Sequence, residues 1–242
     1  MIRRWCIPFA VLALVVGSAL ATAGGASAGV ARGPHVTARP HVTSARPGGG
    51  PHSFRPGGVM LRAHGAGATA LHAKSNAEVE SSNWSGYAVT GSDGEFTSVS
   101  ASWTEPTATC PSSTDEYAAF WVGLDGYNSD SVEQTGTDSD CDGTSPDYYG
   151  WYEMYPADPV YFTNTVEPGD SMSASVTFSG TETYTLVLTD NTQGWTQTIT
   201  KNESGLDRSS AEVITEAPSS ETGVLPLADF GTVNYTASTA NE

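Results

Sequence analysis

From Ser82 onward, apolar residues return at every second position and almost never with helical spacing, and that period of two limits the chain to strands. Met172, Ala174, Val176 and Phe178 alternate strictly with Ser and Thr. Phe96, Val99, Ala101 and Trp103 outline a second strand across one Thr-Ser irregularity. Tyr184, Leu186 and Leu188 lead into the turn residues Asp190 to Gly194 and out again through Trp195 and Ile199, which reads as a hairpin. Turn signals recur roughly every eight to fifteen residues. The expected fold is all-β: a lectin-like sandwich of two antiparallel sheets in one domain.

Charge divides the chain before that domain begins. None of the 27 acidic residues precedes Glu78, and from Glu78 on they face two bases, Lys201 and Arg208, for a formal charge of −25. Such a surface repels nucleic acid and anionic membranes. Residues 1–28 carry Arg3 and Arg4, an apolar run from Ile7 to Leu20 and small residues ending at Ala28, the pattern of a secretory signal peptide, so a secreted, extracellular protein is expected. The run is too short for a convincing membrane span. Residues 29–77, rich in Gly, Pro, Arg, Ala and His, read as a basic, disordered propeptide or linker. Opposite charge on one chain favours the propeptide: a segment lying on the acidic domain, 78–242, as an intramolecular inhibitor.

Several chemistries fall away by residue type. Cys6 leaves with the signal, and Cys110 and Cys141 remain as one expected disulfide, so no thiol is left as a nucleophile. No histidine follows His72, which removes a Ser-His-Asp triad and a histidine-ligated zinc from the domain. Lys201 sits in "TKNESG", read as an exposed turn, a poor place to activate a serine. Asp138, Asp140, Asp142 and Gly143 open like a calcium loop, but Tyr149 stands where such a loop ends in Glu, so a solvated acidic loop is preferred. No metal and no cofactor is assigned. In "YYGWYEMYP" both strand faces carry aromatics, so one of them meets something other than plain solvent; a cleft for peptide or sugar fits. Carboxylates and amides remain as reactive groups: a carboxyl titrates as base or acid, and an amide donates a hydrogen bond to an oxyanion. "SVEQTG" at 131–136, read as a strand ending in a Thr-Gly turn, offers both side by side.

Four segments in order, "SSNWSGYAV", "WVGLDG" followed by "QTG", "WYEMYP" and "SAEVITE", resemble the glutamic peptidases, or eqolisins, secreted acid endopeptidases on a concanavalin-like sandwich. The resemblance covers about residues 82–232. It implies a catalytic pair of Gln134 and Glu216; on an ideal strand Glu212 has the same parity as Glu216, and the resemblance makes that choice. It also implies Trp84, Trp121, Asp125, Trp151, Glu153 and Tyr155 as residues that line or support a peptide-binding cleft. The sequence departs from the family pattern at Glu133, Tyr149 and Met154, and it stops where the family usually continues through further strands.

The implied activity is acid endopeptidase, and charge supports it independently, since a domain with a formal charge of −25 repels itself less near about pH 3 to 4. The same protonation is expected to loosen the basic segment and permit self-cleavage near Ala77 or Glu78. The expected partners are protein or peptide substrates and the chain's own propeptide, with the enzyme a monomer. Two other readings stay open: a secreted carbohydrate-binding sandwich or catalytically disabled fragment, and a glycoside hydrolase pairing Glu153 with Glu216.

Overall fold

The computed structural model describes residues 42–43, 56–63, 78–111 and 113–241. Its strands are β1 (Val42–Thr43), β2 (Trp84–Thr90), β3 (Ser98–Thr104), β4 (Ala119–Leu124), β5 (Val132–Asp142), β6 (Ser145–Tyr155), β7 (Val160–Phe162), β8 (Ser171–Phe178), β9 (Thr183–Asp190), β10 (Trp195–Asn202), β11 (Ser210–Glu216), β12 (Ser219–Ser220), β13 (Gly223–Val224) and β14 (Thr236–Asn241). A seven-stranded sheet runs β1-β7-β6-β5-β4-β11-β2, and a five-stranded sheet runs β10-β9-β8-β3-β14. All their pairings are antiparallel, as the alternating pattern requires.

The middle of the larger sheet, β4, β5 and β11, is buried on both faces. Phe120, Val122 and Leu124 of β4 meet Val99, Ala101 and Trp103 of β3, Met172, Ala174 and Val176 of β8, and Leu186 and Leu188 of β9 in the core between the sheets. On the opposite face, Ala119 and Trp121 gather with Val132, Tyr149, Trp151, Tyr161, Ile214 and Met60. The aromatic-rich β6 divides as its sequence suggested. Tyr148, Tyr152 and Met154 join the core, while Tyr149, Trp151 and Tyr155 join the outer cluster.

Part of what covers the outer face comes from the basic stretch. β1 pairs with β7, and residues 56–63 cross the middle of the sheet. The chain then returns beside itself: Arg62 bridges Ser81, the Ser82 N–H donates to Leu61 O at 2.9 Å, and the Ala63 N–H donates to Glu80 O at 3.2 Å. The apolar run at 7–20, with the rest of the expected signal peptide, lies outside the described residues. Among the described residues no helix is long and apolar enough to cross a membrane.

Three expectations change. Gly136 does not end a strand in a turn, because β5 runs through it to Asp142. Glycine stands there because a Cβ would lie 2.1 Å from Phe120 O and 2.6 Å from Trp121 Cβ on β4. The Asp138–Asp142 stretch is likewise strand, not loop. Asp138 accepts from Trp151 Nε1 at 2.6 Å and from the Tyr149 hydroxyl at 3.1 Å, and Asp140 accepts from Tyr149 and from the Ala118 N–H at 3.0 Å. Those bonds replace the solvation the acidic-loop reading assumed. Finally, Lys201 lies at the end of β10 with its ammonium 5.2 Å from the Tyr152 ring centroid, a cation–π contact in place of an exposed turn.

Cys110 and Cys141 are joined as expected, at a sequence separation of 31 and with Cα atoms 5.5 Å apart. Replacing both by Ala is expected to lower unfolding stability by about 3 kcal/mol, since the open chain regains loop entropy. Chemical denaturation of the double variant at fixed pH checks this.

Candidate active site

Glu216 is the last residue of β11, in register with Trp84 on β2 and Ala119 on β4. Residues opposite one another across an antiparallel pair share a face, so Glu216, Trp84 and, two residues along β4, Trp121 all point outward from the core. Both indole N–H groups donate to Glu216 Oε2 at 3.1 Å, and Asn83 Nδ2 donates to Oε1 at 3.1 Å. The two indoles meet edge to face, 5.0 Å between centroids, which fixes the donor directions. Burial is the largest influence on Glu216 and pushes its pKa well above the usual carboxylate range; the bonds from Asn83, Trp121 and Trp84 oppose this, and the Glu153 carboxyl adds to it.

Gln134 lies on β5, in register with Gly123 of β4 and Glu153 of β6. The missing side chain at Gly123 leaves the room: a Cβ there would lie 2.8 Å from the Trp121 ring and 3.2 Å from Gln134 Cβ. Gln134 Nε2 donates to Glu153 Oε2 at 2.8 Å, which orients the carboxamide. Its Oε1 is buried and has no hydrogen-bond partner.

Between these two groups passes "PGGVMLRA", residues 56–63, with Pro56, Gly57, Gly58 and Met60 buried. A Cβ on Gly57 would lie 2.4 Å from Gln134 Oε1, and one on Gly58 would lie 3.7 Å from Glu216 Oε1. Consecutive Cα atoms are about 3.8 Å apart, so the amide of Gln134 and the carboxyl of Glu216 flank a single peptide unit. The Met60 N–H donates to Gly126 O at 2.9 Å, and the Met60 side chain joins the Trp84 and Val132 cluster. Arg62 donates to Asn128 Oδ1 at 3.0 Å and lies 5.3 Å from the Tyr127 ring centroid. The arrangement thus places one peptide unit between a titratable carboxyl and a side-chain amide.

The sequence matches the profile of the peptidase A4 family over residues 82–242. The chain belongs to the peptidase A4, or eqolisin, family. It is 36% identical over 205 residues to scytalidopepsin B of Scytalidium lignicola, covering 78% of this chain and 75% of that protein. It is 31% identical over 182 residues to aspergillopepsin-2 of Aspergillus niger, and there the match spans 66% of this chain and 64%, just under two thirds, of the relative. Among solved structures, scytalido-glutamic peptidase with a transition-state analog inhibitor superposes with a TM-score of 0.58 at 32% identity, covering 66% of this chain and 80% of that one. An eqolisin in complex with the tripeptide Ala-Ile-His superposes at 0.55 and 31% identity, over 66% and 79% of the two chains.

The other residues suggested by the A4 resemblance divide into two groups. Trp84, Trp121 and Glu153 touch the pair directly. Trp151 is fully buried against Asp138, and Tyr155 packs at the edge of the outer cluster. Asp125 is different: at φ 70° it accepts from the Arg208 N–H at 2.7 Å and the Ser209 N–H at 2.8 Å, which ties the end of β4 to the start of β11. Glu212, the alternative to Glu216, is buried with neither oxygen in a well-formed hydrogen bond. Asn83 and the 56–63 segment were not singled out by sequence reasoning. Their signals were modest: Asn83 precedes the Trp of its motif, and Val59-Met60-Leu61 is an apolar trio in a stretch otherwise dominated by Gly, Pro, Arg, Ala and His.

Proposed function

We propose that this chain is a secreted endopeptidase that works in acid, with Glu216 as general base and then acid and Gln134 as oxyanion stabiliser. The observation that carries the reading is the single peptide unit flanked by Gln134 and Glu216. Ionised Glu216 takes a proton from water as the water oxygen bonds to the scissile carbonyl carbon. The carbonyl oxygen becomes an oxyanion beside Gln134; one Nε2 hydrogen goes to Glu153 and the other is left for that oxygen. Glu216 then gives its proton to the amide nitrogen, the C–N bond breaks, and the carboxylate is restored.

The three N–H donors on Glu216 favour its charged form, and burial opposes them. Residues 56–63 contribute to that burial. Removing them admits water and leaves the donors to draw the carboxyl toward its acidic working range. The glycosidase reading is disfavoured because Glu153 is engaged with Gln134, leaving an amide where a second free carboxyl is required.

On this reading residues 1–28 are the export signal, 29–77 an inhibitory propeptide and 78–242 a monomeric peptidase domain for protein and peptide substrates. Acid releases the propeptide and self-cleavage follows near Ala77 or Glu78. Any electrostatic grip by residues 29–41, 44–55 and 64–77 lies outside the described residues. The test is cleavage of an unstructured peptide by the purified chain between about pH 2 and 5. Hydrolysis confined to acid is expected, and none at any of these values would overturn the proposal.

Inhibition by residues 56–63 has its own test. Gly57→Leu places a side chain against buried Gln134, and overpacking of this kind costs about 1 to 3 kcal/mol. The unprocessed variant is expected to cleave an added peptide roughly tenfold faster than the unprocessed parent. Equal rates would remove the inhibitory role.

A further inference from the structure

Asn83 is 6% exposed and has every polar group of its carboxamide engaged. Oδ1 accepts from the Leu61 N–H at 2.8 Å and from the Ser81 hydroxyl at 2.9 Å. Nδ2 donates to Val59 O at 3.1 Å and to Glu216 Oε1 at 3.1 Å. In an extended chain, the carbonyl of one residue and the N–H of the residue two further on project from the same edge, and the residue between them points its own groups the other way. The segment behaves accordingly, since the intervening Met60 directs its N–H to Gly126 O on the far side. Asn83 therefore grips the two backbone groups that a neighbouring β-strand would grip. Any residue other than proline can present them.

The geometry points to Asn83 as the peptide-backbone clamp of this cleft: its carboxamide binds an extended substrate by one carbonyl and one N–H on the C-terminal side of the attacked bond, while Nδ2 also positions Glu216. The inference rests on the peptidase reading and adds to it a substrate requirement. Numbered from the unit that Gln134 and Glu216 flank, the gripped N–H belongs to the fourth residue, as Leu61 does when Gly58 is the first. Side chains there are read weakly, because recognition runs through the main chain, but that N–H must be present. The clamp also explains why docking and catalysis share an atom: a peptide lying in register is held by the same Nδ2 that orients the base.

Two measurements test it on the full chain. At about pH 5.5, above the range proposed for self-cleavage and below that in which the buried carboxyls cost most stability, hydrogen exchange of residues 56–63 is followed in the parent and in Asn83→Ala, with near-ultraviolet circular dichroism as the folding control. The Leu61 amide is expected to be protected in the parent and to exchange at least about tenfold faster in the variant, the scale of a lost buried hydrogen bond. Unchanged protection would overturn the clamp. In acid, a cleavable peptide is compared with the same peptide N-methylated at the fourth residue after the cut. The parent is expected to show KM raised roughly tenfold for the methylated peptide, and Asn83→Ala to show no such difference, because the group that senses the N–H is gone. The variant's Glu216-linked pH limb is expected to move upward, because Asn83 is one of the groups lowering that pKa, against Glu153, which raises it.

An equal methylation penalty in parent and variant would overturn the inference even if Asn83→Ala were poorly folded, because the parent fixes the comparison. Loss of Leu61 protection in a chain that cleaves no peptide would support the clamp and overturn the peptidase reading.

Discussion

Replacing Glu216 with Gln is expected to lower peptide cleavage by about 10³-fold or more, with little change in KM, because proton transfer by a placed carboxyl contributes about 10² to 10⁴ and the nearby Glu153 carboxyl is engaged with Gln134. The change keeps the volume of a fully buried residue, and the remaining oxygen can still accept from Trp84 and Trp121. The new amide nitrogen faces Asn83 Nδ2, donor against donor, so the melting temperature is read alongside the rate. Gln134→Ala is expected to cost less, about 10² to 10³ in kcat, the usual cost of one lost oxyanion donor. Glu212→Gln serves as the control on the same strand and is expected to leave kcat unchanged. Steady-state kinetics on an acid-cleavable peptide checks all three. A Glu216→Gln chain that retained ordinary turnover would end the proposed mechanism.

The second large effect is on stability. Glu105 is buried among Trp103, Thr137 and Ser139, and burial, outweighing their hydrogen bonds, pushes its pKa from 4.5 to about 8. Glu133 and Glu212 are buried without a well-formed hydrogen bond, and burial pushes both well above the usual range, helped by Asp125 and, for Glu212, by Glu133, and opposed by the hydroxyls of Ser131 and Ser210 respectively. The sign follows from proton counts. Between the unfolded pKa and the raised folded value the native state binds more protons than the unfolded chain, so stability is complete below about pH 4.5 and falls as pH rises. At about 1.4 kcal/mol per pH unit, Glu105 alone accounts for a loss on the order of 5 kcal/mol by pH 8. Total stabilities are commonly about 5 to 15 kcal/mol, so the domain is expected to lose most of its margin before neutrality is well passed. Melting curves from pH 3.5 to 8 test this, with Glu133→Gln expected to flatten the slope by about one proton. A melting temperature that held steady or rose between pH 4.5 and 7 would refute it.

That same Glu133 marks where sequence reasoning stopped. The sandwich was legible because Met172 to Phe178 and the Tyr184 to Ile199 hairpin alternate cleanly, and alternation specifies a sheet with one face against a core. β4 and β5 carry no such pattern, because both faces of their sheet are buried, and a strand buried on both faces loses its period of two. Glu133 faces the core opposite Leu124 and Met154, so its charge gave no warning of its burial. The Asp138–Asp140 pair misled for a related reason: acids spaced by two suggest a cation, but on a strand they share one face, where Trp151 and Tyr149 meet them. Gln134 and Glu216 came from motif resemblance, and neither periodicity nor charge would have united residues on strands separated by β4. The segment at Gly57 and Gly58 was hidden by composition, since glycines amid Pro and Arg read as linker whether or not they fit between two side chains.

The return of the chain along itself has a kinetic consequence. Leu61, Arg62 and Ala63 are tied to Ser82, Ser81 and Glu80 just before Asn83 and Trp84 enter the site. A cut between residues 63 and 78 severs the covalent link and leaves these contacts intact. On the proposed reading, the cut molecule is then a two-piece complex whose inhibition has changed from an intramolecular property into a bimolecular equilibrium. Before the cut, blockage is independent of protein concentration; afterwards, dilution alone favours the open form. Specific activity of the processed enzyme is therefore expected to rise on dilution, whereas that of the uncut chain stays constant.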